Sequence, residues 1–379
     1  MVSGGKHILE IDFLRGFAIL AVIAIHTTAA FTDVPYIDSL VITNIVIDVF
    51  SQFAVPLFIF ISGFVLYLKY NGKYSLKHFY KNRFLRIIPP YLIFTTIYLF
   101  YLPLGYALVY GNVPVYPSIL EIVSAFLFAG GYFHLWFFLI IIELYLFYPL
   151  LEKIYAVLAS RDFEWVFLLV AFFLQIGWNI VSSFFTVSLF GNEMYMMNKV
   201  LFCQIFYFAL GMSVCKHYVQ IKLFFMEKWI TNLTSHRISL YGLLLTLISL
   251  LTALSSYGLI LGLKKYGTYL LIPPNYFIPY TIIQPFAYVL TFIVLFIIST
   301  VLVHAGTCNI LSIIGTYSFG IYLIHPLIQG ILGRTFSVVL NLGATDVLYY
   351  PLMFSLTLLL SVIIIHILHK FPWSKYVIG

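Results

Sequence analysis

What this sequence has least of is charge. Of 379 residues only 9% are Asp, Glu, Lys or Arg, while 63% are hydrophobic and the mean hydropathy is +1.04. Soluble globular chains carry about a quarter charged residues, so that class is excluded. Cysteine is nearly as scarce: Cys203, Cys215 and Cys308 are an odd number, in or beside apolar segments and without metal-ligand spacing. Neither a disulfide framework nor a zinc site follows, and no metal is expected. Polar, Gly/Ser-rich or Pro-rich linkers are missing as well, which argues for a single membrane domain over residues 1–379. Neither an internal repeat nor a low-complexity tract is visible, which weakens an inverted-repeat transporter. The first apolar segment also lacks a short hydrophobic core with a small-residue cleavage site, so it is expected to stay in the mature protein.

What is present is a succession of long apolar runs. Spans are expected at 13–30, 44–68, 87–110, 134–151, 164–186, 199–215, 238–263, 280–303, 311–332 and 347–368. Residues 119–128 are too few to cross and end at Gly130-Gly131, so they read as a half-helix or surface helix. The fold class is all-α, a polytopic membrane helical bundle of about ten transmembrane helices. An even count puts both termini on one side. All of the 20 Lys and Arg except Lys199, Lys264, Lys265 and Arg334 then fall on that side too, which makes it the cytoplasm. The net charge of +7 has this topological origin, and nucleic acid is not an expected partner.

The polar residues inside these runs are the functional candidates. Residues 8–31 carry Asp12 and Arg15 at the entrance, and His26 lies eleven positions beyond Arg15. That places it ~16 Å further along a helix axis, within the hydrocarbon. A polar group at that depth faces other helices or a water-filled cavity, which makes His26 a candidate general base. Asp12 is ~21 Å away from it, so any partner must come from another helix. Glu143, nine positions beyond His134, is the expected one, with a polar packing contact as its competing role. Ser62, in PLFIFISGF, is a candidate catalytic hydroxyl; close helix packing is the other reason for a small residue there.

Arg83 and Arg86, three apart, share a face if the third helix begins near Lys81, and with Lys81 they can clamp phosphate. Anchoring to anionic headgroups explains the same charges. His134 and Trp136 in HLWFF, and His325 in YLIHP, are candidates for contacting an acceptor. Pro326 frees a backbone carbonyl beside His325.

IDFLRGFAILAVIAIH, FAVPLFIFISGF, the Arg83 and Arg86 pair followed by Pro89, HLWFFLIIIELYLFYPLL and GTYSFGIYLIHPL together resemble the acyltransferase 3 family of integral membrane proteins over most of the chain. The resemblance implies O-acylation of an extracytoplasmic carbohydrate or glycolipid at the plasma membrane, with cytosolic acetyl-CoA or another acyl-CoA as co-substrate. It implies His26 as the catalytic histidine, Arg15 and Asp12 as members of the same first-helix motif, and Arg83 and Arg86 as acyl-donor contacts. The rival class is a polysaccharide or lipid-linked sugar exporter whose path the same polar residues line. A proton-coupled transporter using His26 and Glu143 as a relay is a third reading. Only the enzyme should consume acyl-CoA.

Overall fold

In a computed structural model of the chain, the residues described are 8–34, 38–72, 74–110, 114, 116–182, 184, 187–189, 192–194, 199–225, 274–306 and 309–379. The span expected at 238–263 lies outside them. Among the described residues the fold is helical, apart from one short antiparallel hairpin of β1 (Val187–Leu189) and β2 (Asn192–Met194). Seven helical segments among the described residues are long and apolar enough to cross a membrane.

Chain contacts gather into two compact units. The first holds Met1–Lys69 with Gly211–His366, and the second holds Tyr70–Leu210 with Ile367–Gly379. In the first unit, α1 (Leu9–Thr28) carries Glu10 and Asp12 in its opening turn, where carboxylates complement the helix dipole. A 3₁₀ turn (Ala29–Asp33) follows, then α2 (Ser39–Ser51), whose start is capped by Asp38 accepting the Val41 N–H at 2.8 Å. The second span is not one helix: α3 (Ala54–Tyr70) begins anew after a turn at Gln52-Phe53, with Pro56 in its first turn.

The unit is completed by α8 (Ile205–Phe225), α9 (Pro274–His304), α10 (Asn309–Val339) and α11 (Tyr349–Leu368), of which α8 and α11 extend beyond its boundaries. Here α1 packs against α2, α9 and α10. Its closest neighbour is α10, and glycine is the reason. A Cβ on Gly315 would collide with the Asp12 carbonyl oxygen, and one on Gly16 would lie 2.5 Å from the Leu311 carbonyl oxygen. Small residues let backbones approach where lipid supplies no hydrophobic drive between helices. Gly211 does the same for α8 against the Phe60 carbonyl of α3.

The second unit contains α4 (Leu76–Tyr110), α5 (Ile119–Leu127), α6 (Trp136–Ala159), α7 (Glu164–Ser182) and the closing turn α12 (Ser374–Val377). The helix of the third expected span, α4, starts at Leu76, well before residue 87, and encloses Pro89, Pro90 and Pro103. Lys77, Lys81, Arg83 and Arg86 are therefore helical rather than parts of a loop. Lys and Arg are good helix formers, and the hydropathy change marks where lipid begins, not where the helix does. At Asn71-Gly72 the chain turns; Gly72 takes φ +94°, open to glycine without strain, and donates its N–H to Glu152 at 3.2 Å. Helix α5 is short, as expected, and starts with a reciprocal capping box between Ser118 and Glu121.

Candidate active site

The tight α1–α10 pair brings two histidines together. Gly16 and Gly315 mark one end of the contact, and Thr27 and Gln329 meet near the other through a 3.1 Å Gln329 Nε2 to Thr27 Oγ1 hydrogen bond, so the helices run parallel. His26 lies ten residues beyond Gly16 and His325 ten residues beyond Gly315. Equal offsets of ~15 Å raise both rings to one level. The imidazoles stack, with centroids 5.3 Å apart and planes 24° from parallel. His325 is fully buried and His26 half-buried.

Pro326 determines how His325 is held. Lacking an N–H, it cannot bond the Tyr322 carbonyl four residues back. His325 Nδ1 lies 2.9 Å from that oxygen and 3.1 Å from the Ile321 oxygen. Carbonyls only accept, so the geometry assigns the proton to Nδ1 and the lone pair to Nε2. The ring is fixed in tautomer and orientation beside His26.

At the opening of α1, Arg15 Nη1 donates to Asp12 Oδ1 at 3.0 Å. Asp12 is buried and the Arg15 side chain is one-third exposed. Buried Glu10 pairs with Lys222 and accepts from the Tyr218 hydroxyl at 3.2 Å. Two carboxylate–cation pairs thus stand at the opening of α1. Ser62 is half-buried on α3, two residues past the Phe60 carbonyl that meets Gly211.

The remaining candidates belong to the second unit. Arg83 is buried; its Nη2 donates to the Tyr70 hydroxyl at 3.0 Å, its guanidinium lies 4.9 Å from the Tyr70 ring centre, and Phe79 meets that ring edge-on. Nε of Arg83 is buried without a hydrogen-bond partner among the described residues. Arg86 and Lys81 are exposed, so the two arginines face different surroundings and do not share one environment. His134 is buried just before α6, edge-on to Tyr98 and Tyr132, which stack on each other at 4.6 Å. Trp136, half-buried, opens α6.

Glu143 Oε2 accepts the Leu201 backbone N–H at 2.6 Å, fastening α6 to the 3₁₀ turn (Leu201–Cys203). This is the packing role weighed for it, and the ring facing His26 in its own unit is His325. Glu143→Gln retains an acceptor oxygen and is expected to melt within a few degrees of the wild type. Glu143→Ala strands the Leu201 N–H, and a loss of about 1–3 kcal/mol in stability, read as a lower melting midpoint, is expected. Equal melting of the two variants would refute that role.

Gln329, Thr27, Tyr70 and the Glu10–Lys222 pair escaped the sequence reading. Gln329 carries a signal, being a polar residue one turn past His325 in an apolar helix. Tyr70 carries none, because its contact with Arg83 depends on the turn between α3 and α4.

Apolar helices long enough to cross a membrane, with a stacked imidazole pair between two of them and a buried guanidinium on another, define an integral membrane protein with polar sites inside its helical units. Residues 8–366 match the acyltransferase 3 family, described as an acyltransferase domain, and the chain belongs to that family. An amino-acid racemase of Enterococcus faecalis is 32% identical over 133 residues, which are 34% of this chain and 17% of the racemase. The likeness takes in less than a fifth of that protein's length. No solved structure matches the chain.

Proposed function

We propose that the chain is an O-acyltransferase of the plasma membrane that moves an acyl group, acetyl in the first instance, from cytosolic acyl-CoA to a hydroxyl of an extracytoplasmic carbohydrate. The observation that carries this reading is the stacked His26–His325 pair in a member of an acyltransferase family. Arg83, Arg86 and Lys81 take the phosphates of the donor, because guanidinium groups pair with phosphate oxygens two at a time, and Arg15 and Asp12 are further donor contacts in this reading. The thioester reaches His26 on the pantetheine arm. His26 removes the proton of the acceptor hydroxyl, whose oxygen attacks the thioester carbonyl carbon. Ser62 is the donor proposed for the resulting oxyanion. Collapse breaks the C–S bond; the thiolate leaves with the electron pair and takes the proton back from the His26 imidazolium. His134 and Trp136 contact the acceptor. The partial likeness to a racemase supplies no residue to this scheme.

Free-thiol release from acetyl-CoA and succinyl-CoA, measured on the protein in nanodiscs with and without cell-surface glycan, tests the reading. Glycan-stimulated release with one donor preferred is expected. Silence from both donors, with glycan crossing the bilayer of proteoliposomes, would instead establish the exporter.

A further inference from the structure

The break between α2 and α3 carries a chain of polar groups that none of the steps above uses. Gln52, in the turn, donates from Nε2 to Asp48 Oδ2 at 3.0 Å and accepts the Tyr280 hydroxyl of α9 at Oε1, 2.8 Å away. Gln284 donates from Nε2 to the same Tyr280 oxygen at 2.7 Å and to the Tyr288 hydroxyl. A carboxylate, two amides and two phenols are thus linked across two apolar helices. Irregular backbone at membrane depth is tolerated where it is buried in protein or lines a cavity. Asp48, Gln52, Tyr280 and Gln284 are each only half-buried, so this turn has an accessible side.

Register places the network level with His26. Phe31 packs into the cluster of Val34, Val41 and Ile45 where α1 hands over to α2. His26, in the last turn of α1, is five residues before Phe31, which lies in the 3₁₀ turn, and five residues on along α2 from Ile45 is Phe50, inside the Asp48–Gln52 stretch. With rises of ~2.0 Å per residue in the 3₁₀ turn and ~1.5 Å in the helices, the two opposed steps descend by about 9 Å and about 7.5 Å, to within one helical turn of each other. Both α2 and α9 pack directly on α1.

The network also keeps capacity in reserve. Gln284 Oε1 accepts no hydrogen bond among the described residues, and Gln52 has used one of its two amide hydrogens. Alternating donors and acceptors of this kind match sugar hydroxyls, each of which both donates and accepts. A bare structural clamp does not need them half-exposed.

We infer that Asp48, Gln52, Tyr280 and Gln284 form a carbohydrate subsite that holds the acceptor at the level of His26. The inference rests on the acyltransferase reading for its role but not for its existence. The probes are cellotetraose, maltotetraose and N,N′,N″,N‴-tetraacetylchitotetraose, with binding to the nanodisc-embedded protein followed by saturation-transfer NMR and thiol release measured in parallel.

At least one tetrasaccharide is expected to bind the wild type. Gln284→Ala and Gln52→Ala weaken that binding about tenfold, the equivalent of about 1.4 kcal/mol. Thiol release without acceptor stays within about twofold, since neither glutamine touches the donor in the proposed scheme. Tyr280→Phe keeps the ring and packing but removes the linking hydroxyl, and it is expected to weaken binding as well while melting like the wild type. Binding that Gln284→Ala abolishes in a protein releasing no thiol supports the subsite and sinks the transferase. Unchanged binding in all three variants, or no binding by the wild type, overturns the subsite and leaves thiol release to decide the reaction.

Discussion

His26→Ala is expected to lower kcat for acyl transfer by roughly a thousandfold, within the 10²–10⁴ that a positioned base contributes. The proton of the acceptor hydroxyl must go somewhere as the C–O bond forms, and His26 is the half-exposed imidazole of the stacked pair. His325 does not replace it in this scheme, because its ring is fully buried while that of His26 is not. The donor KM is expected to change by less than about threefold, since the interaction removed belongs to the transition state. His325→Gln is the informative companion. It retains a donor toward Tyr322 but loses the ring that stacks on His26, so a smaller loss in kcat is expected, about tenfold, of the size one misoriented contact produces. Transfer that survives His26→Ala at near wild-type kcat would remove His26 from the chemistry. The measurement is single-turnover thiol release with acceptor saturating.

How much of this was legible in the sequence depended on which physical signal carried it. The apolar runs announced α1, α7, α9, α10 and α11 because length and hydropathy are what a bilayer selects. The start of α4 was misplaced by the same signal: Lys77, Lys81 and Arg83 suspend the hydropathy while continuing the helical hydrogen bonds. The break at Gln52-Phe53 left only Pro56 as a trace, and a proline in a first turn equally well belongs to an unbroken entry. His26 and His325 stood out singly as polar residues in lipid. Their pairing required knowing that α1 and α10 run side by side and parallel, which no local pattern states. Gly16 and Gly315, each ten residues ahead of a histidine, were the available clue. Glu143 shows the opposite case. Its depth suited a partner for His26, but depth along one helix does not name the group a carboxylate meets, and Oε2 accepts the Leu201 N–H.

Gly315→Leu is expected to prevent α1 from docking on α10 and with it any accumulation of folded protein. The obstruction is main chain: a Cβ at 315 runs into the Asp12 carbonyl oxygen, which no rotamer change can move. Overpacking that side chains can absorb costs about 1–3 kcal/mol, and a backbone collision exceeds that range. Relief requires α1 to move away, and such a shift also separates His26 from His325 and breaks the Gln329–Thr27 hydrogen bond. Gly315→Ala should therefore be graded rather than silent: poorer yield, a lower melting midpoint, and a loss of kcat larger than the loss of donor affinity. Gly330→Ala is the control on the same helix, because a Cβ there meets nothing within 4 Å. Alanine has the better helix propensity by about 1 kcal/mol, so that variant should be neutral or slightly stabilised. Size-exclusion profiles and melting curves of the three variants in one detergent decide the matter. Equal behaviour of Gly315→Leu and Gly330→Ala would mean that the close crossing of α1 and α10 does not hold the histidines together.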